Sequence, residues 1–72
     1  MAFRRFTLCR HDDVSGVSGT GEVAEGVQFS SGKCVLGWLS TTPSVSVFDG
    51  IDELMAVHGH GGSTALEWID DV

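Results

Sequence analysis

Along most of the chain, apolar and polar side chains alternate in short runs broken by glycine, serine and proline. That period of two belongs to strands lying against a core. Phe3–Arg10 (FRRFTLCR) opens the series, with Phe6 and Leu8 on one face and Thr7 and Cys9 on the other. Glu22–Phe29 (EVAEGVQF) sets Val23, Val27 and Phe29 on one face, and Gly26 in mid-strand signals a bulge or a close backbone approach. Ser30-Ser31-Gly32-Lys33 supplies the glycine that a tight turn needs at positive φ, which predicts an antiparallel hairpin to the next run. Lys33–Leu39 (KCVLGWL) is apolar on both faces, Cys34, Leu36 and Trp38 against Val35 and Leu39, and so predicts a strand covered on both sides. Ser40-Thr41-Thr42-Pro43 interrupts the pattern, and Ser44–Phe48 (SVSVF) resumes it.

The period changes once. Ile51, Leu54, Met55 and His58 repeat at i, i+3, i+4 and i+7, one apolar stripe on a helix over Gly50–His58. Asp49 is the expected N-cap, with Asp52 three residues on in the manner of a capping box, and Gly59 the expected left-handed stop. After His60-Gly61-Gly62, alternation returns in Ser63–Ile69 (STALEWI) as a fifth strand. The predicted fold is α+β, a single domain over residues 1–72. A mainly antiparallel, four- to five-stranded curled sheet carries one helix, in the order β-β-β-β-α-β. One helix covers one sheet face at most. The apolar residues of the other, Val35 and Leu39 among them, then require a curled sheet closing on its own core or a second copy of the chain, and small domains without disulfide or metal commonly assemble.

Composition narrows the function. Hydrophobic residues make up 42% of the 72, too many for a disordered chain. No apolar run approaches the ~18–20 residues of a membrane span, and Met1–Arg10 lacks the apolar centre of a secretory signal, so the chain reads as soluble, unexported and cytoplasmic. Ten acids against four cations give a net charge of −6, which disfavours general nucleic-acid binding and anionic membranes. Arg4, Arg5, Arg10 and Lys33 are the cations, whereas the last segment holds Asp49, Asp52, Glu53, Glu67, Asp70 and Asp71. Opposite charge predicts that the terminal strands attract, side by side in one sheet or head-to-tail between copies. Cys9 and Cys34 form no Cys-x-x-Cys pair and read as buried thiols, which excludes the usual structural zinc site.

Two loops hold the candidate chemistry. His11–Gly21 (HDDVSGVSGTG) has neither period and reads as a long ordered loop in which Ser15, Gly16, Ser18, Gly19, Thr20 and Gly21 set backbone N–H groups beside hydroxyls. Such loops form anion sites. The loop has no Gly-Lys-Ser/Thr ending and no Gly-x-Gly-x-x-Gly, so neither nucleotide fingerprint is present, and a self-satisfied glycine loop is the plainer alternative. His58, His60 and Thr64 line the second loop. His11, His58 and His60, with Asp12 or Asp13, could form a metal or acid–base set, but His58 lies on the apolar stripe and His60 beyond the helix end, so a capping role is the alternative. No serine stands in Gly-x-Ser-x-Gly, and Trp38 and Trp68 occupy alternating positions that suit a core or interface better than a base-stacking platform.

The run Asp13 to Val27 (DVSGVSGTGEVAEGV), Trp38, Pro43-Ser44, and His58 to Thr64 (HGHGGST) before Trp68 resembles a group of small uncharacterised proteins of actinobacteria, their bacteriophages and haloarchaea. The resemblance covers nearly the whole chain and implies no particular activity, substrate or cofactor. Gly37 departs from it, standing before Trp38 where that group leads one to expect a basic residue. The sequence thus points to a non-enzymatic, self-associating binding or accessory protein without cofactor, its small anionic ligand at the two loops. The alternatives are a small metal- or histidine-dependent enzyme using His11, His58 and His60, and a phage-type protein that sequesters a nucleotide signal.

Overall fold

The computed structural model describes residues 3–11 and 20–70. Its strands are β1 (Arg4–Arg10), β2 (Gly21–Gln28), β3 (Cys34–Trp38), β4 (Val45–Phe48) and β5 (Thr64–Trp68), and helix α1 (Ile51–His58) lies between β4 and β5 in the chain. They form one curled antiparallel sheet in the order β4-β3-β2-β1-β5. This is the α+β fold and element order expected from the sequence, with strand ends displaced by no more than one residue. No described helix is long and apolar enough to cross a membrane.

Local chemistry explains each turn of the path. Gly32, at φ 98°, closes the β2–β3 hairpin, where the Phe29 N–H donates to Lys33 O at 2.8 Å. Beyond β4, α1 carries the chain to the free edge of β1, and there β5 pairs antiparallel, Phe6 opposite Trp68 and Leu8 opposite Leu66. The expected attraction of the terminal strands takes the side-by-side form. Arg5 donates to the Asp70 carboxylate from its backbone N–H, Nε and Nη2 at 2.9, 3.0 and 2.8 Å. Arg4 lies over the Trp68 ring at 3.5 Å, and that ring meets Phe6 edge-on.

One sheet face holds the core. Phe6, Leu8, Ala24, Cys34, Leu36 and Phe48 are buried beneath Leu54 of α1, with Ile51, Met55, Trp38 and Leu66 packed at the margin. Each large side chain buried in this way contributes roughly 1.5–3 kcal/mol. The predicted helical stripe is therefore the covering face. Cys34 sits in this core while Cys9, of opposite parity on β1, faces the other way, and both thiols are free. Desolvation raises both above the ordinary thiol value, assisted by the charges of Glu67 and Glu22 at Cys9 and of Glu53 at Cys34. They stay protonated at neutral pH and are poor nucleophiles.

Three local expectations are corrected. Val23, Val27 and Phe29 do not share a face: Ala24 pairs with Leu8 but Glu22 with Cys9, so Val23 is an extra residue that reverses the alternation. Val23 and Ala24 are both buried as a result, and Gly26 marks a close approach instead of the bulge. Secondly, α1 begins at Ile51 with Gly50 as its extended N-cap, because the Asp49 carboxylate is held by Lys33 Nζ at 2.8 Å. Glu53, not Asp52, reaches back, its Oε1 accepting the Asp49 N–H at 3.2 Å. Thirdly, Gly59 is right-handed, at φ −72°, and its N–H donates to Met55 O, while the left-handed residues are Gly61 and Gly62.

Candidate functional site

Three strand ends meet at one end of the sheet. Arg10, the last residue of β1, is paired with Gly21 at the start of β2 and with Thr64 at the start of β5. His11 and Thr20 therefore stand beside the loop over 59–63 at this end of the sheet, and the His11 N–H, donating to Ser63 O at 2.7 Å, extends the pairing one step beyond the strands. On the second loop, Gly59 O accepts the N–H of both Gly62 and Thr64 at 3.1 Å, and the left-handed Gly61 and Gly62 turn the chain into β5.

Arg10 was not among the residues singled out from the sequence, although its parity with Phe6 and Leu8 placed it on the core face. It is 4% exposed, and its Nε donates to the hydroxyl of Thr64, itself 2% exposed, at 3.3 Å. Thr64 is thus a buried partner of a cation, whereas Thr20 and Gly21 are exposed at the root of the other loop. Ser15, Gly16, Ser18 and Gly19, together with Asp12 and Asp13, lie outside the described residues. The His58 ring packs against Trp38 at 4.9 Å and Phe48 at 5.6 Å, edge to face, so it belongs to the margin of the core over β3 and β4. His11 is exposed at the end of β1, and His60 opens the 3-10 turn over His60–Gly62. Among the described residues, no three His, Cys, Asp or Glu side chains are grouped as metal ligands.

The second feature is the other sheet face. Val27 and Val35 are half-buried there, and Val45, Val47 and Ile69 are 70, 69 and 54% exposed. The expectation that β3 is covered on both sides fails within the chain. Leu54 covers its Cys34–Leu36 side, whereas on the Val35 side no described element lies over the sheet. Arg5, Glu25, Val27, Val35, Val45 and Ile69 line a shallow groove across that face, and Gly37 leaves its floor open. Trp68, 37% exposed, stands at the sheet's edge on β5.

No curated protein and no solved structure matches the chain. A family model described as "Acb5 phage protein" matches residues 3–70.

Proposed function

Because the chain belongs to the Acb5 phage protein family, we propose that it is a small, non-enzymatic, cytoplasmic accessory protein that acts as a homo-oligomer and holds a small anionic ligand where its two glycine-rich loops leave the sheet. The observation that carries this reading is the inequality of the two sheet faces, one sealed by α1 and the other bearing Val27, Val35, Val45, Val47 and Ile69 in contact with water. A domain this short buries only about 60% of the surface its unfolded chain exposes, and an apolar face is the natural place to bury more. Two copies related by a twofold axis would stack these faces at about 10 Å, as sheets in sandwiches do. The groove is also suited to meeting itself, since Arg5 and Glu25 line it together and a twofold axis can bring each opposite its counterpart's opposite charge.

Light scattering on the full chain tests the oligomer. The wild type is expected to run as a dimer or larger assembly at micromolar concentration, and Val45→Glu with Val47→Glu as a monomer of 7.6 kDa with an unchanged circular-dichroism spectrum. Both positions are too exposed for the substitutions to harm the core. A wild type that stays at 7.6 kDa at about 100 μM, well above the range of ordinary specific interfaces, overturns the reading.

A further inference from the structure

We infer that Arg10 anchors a phosphate-binding site at the end of the sheet where β1, β2 and β5 meet, an inference that rests on the ligand reading above and gives it a chemistry. Arg10 is buried on the core face, and its side chain is a guanidinium that offers donors and no acceptor. Among the described residues the ion pairs are Arg5 with Asp70 and Lys33 with Asp49, so two of the four cations have a described carboxylate and Arg10 has a neutral hydroxyl. A charge kept from water demands an anion nearby.

The geometry favours an oxyanion with several acceptor oxygens. Arg10 gives Nε–H to Thr64, and the planar fork of a guanidinium matches two oxygens of a phosphate. Thr64 Oγ1 accepts that bond and, as a hydroxyl, keeps its own hydrogen to donate to the same anion. Gly21, Gly61 and Gly62 around this end carry no side chain, and no atom of a described residue other than the chain neighbours stands within 4 Å of where a Cβ would be at each, which leaves room beside them among the described residues for a ligand larger than a bare ion. The chain as a whole carries a net charge of −6, so an anion drawn to it needs a local cation, and the inward-turned arginine supplies one.

The test is thermal unfolding of the full chain at constant ionic strength, titrated in parallel with inorganic phosphate and with adenosine monophosphate. Binding to the native form alone raises Tm, and for a domain of this size a saturated site should add about 5 °C or more. The rise should disappear in Arg10→Met and shrink in Thr64→Val, and acetate should not produce it. An equal response to both ligands assigns the site to phosphate itself, and a larger one to the nucleotide assigns it to phosphate esters. The inference is overturned if the wild-type Tm does not move up to about 10 mM of either ligand, a result that needs no variant to fold. It is also overturned if Arg10→Met responds like the wild type. A wild type that ignores phosphate, beside an Asp12→Asn, Asp13→Asn double variant that gains the response, would identify the counter-charge as the chain's own. Light scattering on the same samples separates this outcome from failure of the oligomer.

Discussion

Gly26 shows how far one residue is fixed by its neighbours. A Cβ built there would stand 2.5 Å from Phe6 Cζ and from the Val35 carbonyl oxygen, and the latter cannot swing aside. Gly37, two residues along the partner strand, has the Glu25 carbonyl oxygen at 3.7 Å as its nearest neighbour, an ordinary contact. Gly26→Ala should therefore cost about 1–3 kcal/mol, and Gly37→Ala should be neutral or slightly stabilising, as read by urea unfolding. Arg5 and Asp70 give the pH dependence. The side-chain hydrogen bond from Arg5 holds the Asp70 carboxyl down from its ordinary 3.8 to about 2. A depressed acid stabilises the fold above its unfolded pKa and loses that contribution as pH falls through the folded value. The Tm difference between wild type and Asp70→Asn should thus be full at pH 5, shrink between about pH 4 and pH 2, and diminish with salt because the pair is exposed.

Among the elements, α1 starts without a side-chain cap. Gly50 occupies its N-cap at φ −170° and ψ 172°, extended values open to any residue, and makes no side-chain capping bond. The nearest atom to a Cβ there is Gly32 O at 4.0 Å. Gly50→Ser adds a capping oxygen and removes unfolded-state freedom, so a gain of about 0.5–1 kcal/mol in urea unfolding is expected. Legibility differed between elements for physical reasons. The helix stripe and the strand alternations survive because apolar side chains must share a face whatever the neighbours. The capping residue was misassigned because Lys33, sixteen positions away, competes for Asp49. The face of β2 was misassigned because a bulge moves every later side chain across the sheet.

At the scale of the whole molecule, the central question is where the second apolar face goes. If copies associate through it, unfolding is coupled to dissociation, and Tm must rise with protein concentration. A tenfold dilution should lower the wild-type Tm by several degrees, and the Val45→Glu, Val47→Glu variant should melt at one temperature at all concentrations. The chain runs from the β4 edge over the core to the β5 edge, and this path brings together residues far apart in sequence. Arg10 and Thr64, separated by 54 positions, touch only because β5 returns to β1.

The order of elements, the antiparallel hairpin, the covering stripe of the helix and the attraction of the chain's two ends were all present in the sequence. Each depends on spacing or charge within a few residues, or on the simple sum of charge in a segment. The bulge at Val23, the capping of α1 and the burial of Arg10 against Thr64 came only with the tertiary structure. They depend on which strand lies beside which, and a linear pattern carries that pairing only as a choice among alternatives.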